Sequence, residues 1–461
     1  MLLNSVKFSS VNYLTSIKSS KINFTSKPDS FEKKSSVKSF EFADDVSAKA
    51  KKEILAKTLE IANDDTAISP LGYGATGVVY RFSNLDGFGA NGVVAKVSYT
   101  NDTNPLTGAR QKVGNDFSDE IQFLKEVSSL GDKSQQYIGR LKLSDGRNVL
   151  LTTFVDGKNP DVKRNPINEK SLQSLLSTIQ ELDKKRILHR DLKKENIIVD
   201  SDSNAKLIDF GEAVRFNFLD EKRCDDGLNF PSFVLPTNLQ NFEDTFLSPY
   251  YNELSSQDPK KADDFYKTYL RMKGQIVHKN AVADLAKFYE ENKDVLTQEE
   301  TDRIFDLMDY QQIMAKTLTY DSDNEAVVAV ELMKNQVTYM SELAYKNEIL
   351  LGNPLANITM KANAVICAKK MEAMVQKYLN RPNHPRVNEY LKYQLEIAKY
   401  RQEKIAGWLS GFVGWFCNCA TTDINTQDED KKKIINDSLK QDLEDFEVPN
   451  IAKNHYGKRL L

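Results

Sequence analysis

Two short polar clusters, each set against an apolar run, constrain this chain more than anything else in it. The first is Ile187-Leu-His-Arg-Asp-Leu-Lys-Lys-Glu-Asn-Ile-Ile-Val199. The second is Asp209-Phe-Gly211, eighteen residues past Asp191 and preceded by Lys206-Leu-Ile208. Brief apolar runs rich in Ile, Leu and Val predict short strands around 197–199 and 206–208. The acids, the amide and the lysines therefore fall in connections next to strands, where a scaffold can hold them and a ligand can reach them.

This set of side chains suits phosphoryl transfer. The reaction needs a γ-phosphoryl group aligned with a hydroxyl, and its charge neutralised by metal. Asp191 is the candidate to orient the hydroxyl. Asn196 and Asp209 offer the hard oxygens that Mg²⁺ prefers, and Lys193 is placed to reach the γ-phosphate. Upstream lies Gly72-x-Gly74-x-x-Gly77-x-Val79. A dinucleotide-binding version of this pattern has a helix after the glycines. Here Val78-Val-Tyr80 follows and reads as a strand, so the glycines predict a hairpin whose backbone can lie over phosphates. Taken alone, a plain Gly-rich turn explains them almost as well.

Nineteen residues beyond Gly77, Val93-Val-Ala-Lys96 puts a lysine in an apolar strand. A buried ammonium is costly without an anion, and the α- and β-phosphates of ATP together with a helix glutamate supply one. Glu120 is the first candidate, because Phe117, Ile121, Leu124 and Val127 predict an amphipathic helix over 116–130. Glu126 is the second. The competing reading of Lys96 is an edge-strand lysine that snorkels to water.

In this order and combination the residues resemble the eukaryotic-type protein kinase superfamily. His189-Arg-Asp191-Leu-Lys193-Lys-Glu-Asn196 resembles its Ser/Thr form, since Lys193 follows the Asp-Leu pair. The resemblance implies an α+β, two-lobed protein-kinase-like fold that takes ATP and Mg²⁺. It implies that Leu150-Leu-Thr152 ends a strand at the adenine pocket, with Thr152 at its rear, and that Thr153 to Val155 form a hinge that reads the adenine edge. It further implies that Val79 and Ala95 sandwich the ring, that Phe210 packs under the regulatory helix, and that Arg190 is available to a phosphate on the activation segment. The likeness covers roughly 66–270 and thins after Gly211. The Ala-Pro-Glu that usually ends the activation segment is replaced at best by Ser248-Pro-Tyr250, and the usual Asp-x-Trp-x-x-Gly helix by Asp263-Asp-Phe265. On this reading Ser232, Thr237, Thr245, Ser248, Tyr250 and Tyr251 are activation-segment phosphorylation candidates. Kinases of small antibiotics share the fold but usually lack the paired His-Arg-Asp and Asp-Phe-Gly motifs, which favours a protein substrate.

The expected organisation is a disordered Ser/Lys-rich leader over 1–45, a sheet-rich lobe over 46–156 and a helical lobe over 157–320, divergent after 211. An all-helical C-terminal extension over 321–461 completes it. Within the sheet-rich lobe a helix is expected over 41–63. Residues 1–40 hold eleven Ser, seven Lys, no Arg and two acids, too polar to offset the entropy of ordering. Ser-rich, acid-poor leaders also resemble those of effectors injected by bacterial secretion systems, so one expectation is a secreted virulence effector acting inside a eukaryotic host cell. Four scattered cysteines suggest a reducing, cytoplasm-like compartment. A formal net charge of -3 argues against nucleic acid as a partner. The uncharged stretch Ile405 to Cys419 reads as a buried helix, or alternatively as a membrane-interfacial helix anchored by Trp408 and Trp415. The extension is the expected docking region for a host activator or other partner. The alternative to an enzyme is a kinase-shaped scaffold that works through this helical region with little transfer activity.

Overall fold

A computed structural model describes residues 35–64, 67–74, 76–101, 113–215, 238–346 and 354–399. The alternating runs near the start build one antiparallel sheet. Its strands are β1 (Val37–Phe42), β2 (Pro70–Tyr73), β3 (Gly77–Phe82), β4 (Val93–Ser98), β5 (Tyr137–Leu143) and β6 (Asn148–Thr153), in the spatial order β1-β5-β6-β4-β3-β2. β4 is buried along its whole length, as a central strand flanked by β3 and β6 must be. Helix α1 (Ala48–Asn63) begins at Ser47, whose side chain accepts from the Ala50 N–H. It buries Ile54 and Ile61 in one apolar cluster with Phe82, Ala95, Leu141 and Leu151 on one face of the sheet.

The first described strand differs from expectation. Residues 37–42, assigned in part to the leader and in part to a helix over 41–63, form the edge strand β1, and the helix starts only at 48. Val37 to Phe42 pair with β5, and Glu41 forms ion pairs with Lys125 and Arg140 at 2.9 and 2.8 Å. A sheet edge thus orders a segment whose composition alone predicts disorder. Residues 1–34 lie outside the described residues, as do 405–419 and the charged stretch over 427–440. Among the described residues no helix is long and apolar enough to cross a membrane.

Helix α2 (Ser118–Glu126) crosses the other face of the sheet. It is shorter than the expected 116–130, because Phe117 takes a left-handed backbone at φ 57° just before it and a 3₁₀ stretch over Val127–Lys133 follows it. Past the sheet the chain is mainly helical. Helix α3 (Glu169–Lys184) is capped by Asn168, and the short pairs β7 (Ile187–Leu188) with β10 (Val214–Arg215) and β8 (Ile197–Val199) with β9 (Ala205–Leu207) frame the two polar clusters. Helix α4 (Asn238–Phe242) passes through a π-turn over Glu243–Leu247 into α5 (Ser248–Gln257). Helix α6 (Pro259–Met272) passes through a second π-turn, Lys273–His278, into α7 (Lys279–Asn292). Gly274 sits where that turn meets α8 (Gln298–Tyr320): a Cβ there would lie 2.8 Å from the Thr319 backbone nitrogen.

Helices α9 (Glu325–Lys346), α10 (Pro354–Leu379) and α11, over 385–399, follow. The break at Asn380–Pro385 separates α10 from α11 as expected. The core does not divide at 320. Leu176, Phe246, Leu270, Leu318, Val327, Val330, Met371 and Tyr390 belong to one buried cluster. A buried ionic network crosses the same boundary. Lys273 Nζ lies 2.5 Å from Glu243 Oε1 and 3.1 Å from Glu331 Oε2, and Glu331 also accepts from Tyr390 at 2.9 Å and pairs with Lys334 at 3.2 Å. Burial disfavours the Lys273 ammonium, yet the two carboxylates outweigh it and raise its pKa. Burial likewise opposes the Glu331 carboxylate, which Lys273 and Lys334 hold well below its usual range.

Breaking a buried ion pair by removing one partner is expensive because the other charge stays in the interior. Glu331→Ala is therefore expected to cost about 3–5 kcal/mol in urea denaturation, and truncation after Tyr320 to abolish cooperative unfolding. A truncated chain that unfolds at the full-length midpoint would mean that the extension is an independent unit.

Candidate active site

The site is built where the sheet, α2 and the two polar clusters converge. Side chains alternate along a strand, so Lys96 on β4 faces away from the α1 side of the sheet. Register places it beside Val79 on β3 and Leu150 on β6. Its Nζ lies 3.0 Å from Glu120 Oε2 on α2 and 2.9 Å from Asp209 Oδ1. Lys96 and Glu120 are 9% and 4% exposed, so the snorkelling reading of Lys96 does not hold. Glu120 is the partner. Glu126, the second candidate, pairs instead with Arg215 on β10. Burial opposes the Lys96 charge, but Glu120 and Asp209 raise its pKa and keep it an ammonium. Burial also pushes the Glu120 carboxyl up. For Asp209 burial acts in the same upward direction, but Lys96 more than cancels it and holds the carboxylate low.

The same alternation corrects one expected nucleotide contact. Ala95 neighbours Lys96 along the strand, so it points to the opposite face, fully buried with Phe82, Leu141 and Leu151. Val94, in register with Thr152 and Arg81, shares the Lys96 face together with Val79. Gly77 has a structural duty beyond any ligand: a Cβ there would stand 2.5 Å from the Val97 carbonyl oxygen of β4. Gly72 and Gly74 face open space or a distant carbonyl, consistent with a hairpin lid. Thr152 is buried at 2% exposure behind the site. Beside it, Thr153 receives the Gln136 N–H on its hydroxyl at 2.9 Å.

Around Asp191 the geometry is tight. Lys193 Nζ lies 2.6 Å from Asp191 Oδ2. Asn196 Nδ2 donates to that same oxygen at 2.8 Å and to the Asp191 carbonyl at 2.9 Å. With its NH₂ committed there, the Asn196 amide turns its carbonyl oxygen away from Asp191, free to ligate a cation. Asp209 holds a left-handed backbone at φ 62°. Phe210 is fully buried, its ring 4.7 Å from that of His189 and in the same cluster as Ile121 and Leu124 of α2. His189 is buried with its Nε2 3.1 Å from the Ile208 carbonyl oxygen. Burial lowers its pKa and keeps it neutral. Arg190 is exposed, with φ 65°.

The structure supplies three positioning residues that the sequence reading missed. Asn238, Asn241 and Thr245 lie at helical spacing on one face. Asn238 Oδ1 accepts the His189 N–H at 2.7 Å, Asn241 Oδ1 accepts the Leu192 N–H at 2.9 Å, and Thr245 donates to the Leu192 carbonyl at 3.0 Å. Asn238 Nδ2 also donates to Asp183 and to the Ile187 carbonyl, both at 2.7 Å. Asp263, the expected echo of the helix that usually follows the activation segment, instead pairs with Lys267 on α6 at 2.6 Å. Four expected phosphorylation sites belong to α4, its π-turn and α5 and are tied up there. Thr245 is engaged as described, Ser248 donates to the Glu243 carbonyl, Tyr250 is buried and accepts the Ile167 N–H, and Tyr251 packs on Tyr266. Ser232 and Thr237 lie outside the described residues.

This geometry and the family comparison agree. The protein kinase domain matches residues 66–227, so this stretch of the chain, about a third of its length, carries a domain of that family. Similar proteins are a probable serine/threonine-protein kinase KIN1 homolog of Encephalitozoon cuniculi, 38% identical over 108 residues, or 21% of this chain and 19% of that one. Protein kinase C delta type of Homo sapiens is 31% identical over 97 residues, 20% and 14% of the two chains. Mitogen-activated protein kinase kinase 7 of Arabidopsis thaliana is 29% identical over 136 residues, 27% and 44%. The chain thus spans less than half the length of each of these relatives. A domain of this family implies ATP and a divalent metal. The donors present fit such a metal: the Asp209 carboxylate and the Asn196 carbonyl are hard oxygens.

Asp183 gives this scaffold a pH dependence. Burial raises its carboxyl from the ordinary carboxylate range to about 7, against the bonds from Asn238. The folded chain therefore holds a proton that the unfolded chain has released, and stability falls as pH rises from about 4 through about 7. Asp183→Asn removes this term. Comparing melting temperatures at about pH 5 and about pH 8, the wild type is expected to lose on the order of 2–4 kcal/mol relative to the variant. Parallel pH profiles would refute the assignment.

Proposed function

We propose that this chain is an ATP-dependent protein kinase that transfers the γ-phosphoryl group of Mg-ATP to Ser or Thr hydroxyls of a protein substrate, itself included. The observation that carries the reading is the Asp191 constellation. Lys193 and Asn196 both engage Oδ2 and leave Oδ1 to take a substrate hydroxyl. Held by this cation and this amide dipole, the carboxylate orients the hydroxyl and accepts its proton as the bond to phosphorus forms. Lys193 also faces the region where charge develops on the transferring group. Lys96, kept charged by Glu120 and Asp209, is placed to exchange part of that pairing for phosphate oxygens. Mg²⁺, when bound, would neutralise the phosphates, with Asn196 and Asp209 as its protein ligands. Lys193 supports Ser/Thr over Tyr acceptors.

The composition of residues 1–40 supports a further part of the proposal: that the chain is an exported effector acting in a reducing host compartment, with a host protein as substrate or activator. Because β1 begins at Val37, the test is deletion of residues 1–34, which is expected to abolish export from the producing cell and to spare activity of the purified protein. Continued export would refute it.

With γ-labelled ATP and a generic basic protein, the wild type is expected to transfer label. Asp191→Asn is expected to lose about 10²–10⁴-fold in rate while still binding nucleotide in calorimetry, and Lys96→Ala to lose both. An Asp191→Asn variant as active as the wild type would refute the mechanism. Nucleotide binding without transfer by the wild type, even with eukaryotic lysate added, would favour the scaffold reading.

A further inference from the structure

Gln135 lies at the back of the site, between the 3₁₀ stretch after α2 and strand β5, and the functions assigned above do not use it. Its backbone is fixed. Its N–H donates to the Leu207 carbonyl at 3.1 Å, and the preceding Ser134 bridges to Leu207. From this anchor the side chain reaches two elements at once. Nε2 donates to Thr152 Oγ1 at 2.6 Å, and Oε1 accepts the Asp209 N–H at 3.3 Å. The chemistry settles the orientation of the amide. The Asp209 N–H can only donate, so the Gln135 oxygen must face it, and the NH₂ must then face the hydroxyl.

Both partners matter to the site. Thr152 is buried at the rear of the nucleotide face, on the central sheet. Asp209 stands in the left-handed region at φ 62°, a conformation that costs a residue with a Cβ about 1–2 kcal/mol. That backbone carries the Asp209 carboxylate to within 2.9 Å of Lys96. Something must hold it there. The left-handed Asp209 is the point where β9 hands over to the Asp-Phe-Gly turn, and Gln135 bonds its N–H directly.

We propose that Gln135 is a positioning residue: it ties the Asp209 backbone to Thr152 and the sheet, fixes the carboxylate in its cation-presenting conformation, and thereby sets the divalent-metal requirement of nucleotide binding. The proposal rests on the reading of Asp209 as a metal ligand. It predicts a particular separation of effects. Loss of the tie weakens the response to metal, because Asp209 is less well placed, but leaves metal-free nucleotide affinity unchanged, because the Gln135 amide and the Asp209 N–H are spent on protein partners.

The test uses the full chain and calorimetric titration with ATP at a series of MgCl₂ concentrations, and at none. Gln135→Met keeps the length and removes both bonds. It is expected to raise the half-saturating Mg²⁺ about three- to tenfold, the size of one lost hydrogen bond, with ATP affinity in EDTA unchanged. Thr152→Val removes the far anchor and is expected to shift the Mg²⁺ dependence in the same direction, whereas Thr152→Ser, which keeps the hydroxyl and controls for changes in the pocket itself, is expected to retain the wild-type half-saturating Mg²⁺ whatever its ATP affinity. This pair serves even if Gln135→Met fails to fold. Wild-type Mg²⁺ dependence in Gln135→Met, or in Thr152→Val when the former is unfolded, would overturn the proposal. So would an equal loss of ATP affinity with and without metal, which marks a merely structural role. If the wild type binds ATP but Mg²⁺ has no effect on it, the reading of Asp209 as a ligand fails, and the role of Gln135 falls with it. If the wild type binds no ATP under any condition, the kinase reading itself is wrong.

Discussion

The ammonium of Lys96 is the group on which the site depends. It sits on the central strand of a sheet, under 10% exposed, between one carboxylate from the helix behind it and another from the turn beneath. An isolated charge there would be untenable, so its presence forces α2 inward and the Asp-Phe-Gly turn upward until both acids touch it. One ion cluster thus fixes the relation of the sheet, α2 and the second polar cluster. It leaves a cation ready to meet phosphate oxygens, and an acid held ionised that is ready to meet a metal.

The second requirement is a rigid catalytic loop, and the helical part of the chain supplies it. Loops expose backbone N–H and C=O groups that must be satisfied somewhere. Here a single helix face does so, with Asn238, Asn241 and Thr245 binding the backbone on both sides of Asp191. That helix is in turn held from its other side. Glu243, in its π-turn, joins the buried network of Lys273, Glu331 and Tyr390. The route from α9 and α11 to Asp191 is therefore one of contiguous contacts, and the C-terminal helices form part of the lobe that holds the loop. After Gly211, where the sequence departs from the pattern it resembles, Asn238, Asn241 and Thr245 supply the support for the loop.

Legibility of the sequence followed the range of the interactions. Lys96, Glu120, Asp191, Lys193, Asn196 and Asp209 were readable because short local motifs carry them, and the costs of burying charge narrow their partners. The sheet was readable from its alternation. Ala95 was assigned to the wrong face, since motif matching ignored the period of two that puts it opposite Lys96. Strand β1 was hidden because its order comes from pairing with β5, about a hundred residues later. Helix α4 was hidden more deeply. Nothing local distinguishes Asn238-x-x-Asn241-x-x-x-Thr245 from a polar loop, although its helical spacing was there to find. The same misreading made Thr245, Ser248, Tyr250 and Tyr251 into phosphorylation candidates, when their side chains are committed to packing and hydrogen bonds. Likewise Glu331 and Lys273 lie 58 positions apart, and only folding brings them together.

A crystal structure of the chain with a non-hydrolysable ATP analogue and Mg²⁺ tests the central claim most directly. The account predicts the α- and β-phosphates within hydrogen-bonding distance of Lys96 with Glu120 still paired, Mg²⁺ on the Asn196 carbonyl oxygen and the Asp209 carboxylate, and the γ-phosphate facing Asp191 Oδ1. An analogue bound elsewhere, or phosphates that leave Lys96 and Asp209 untouched, would contradict it.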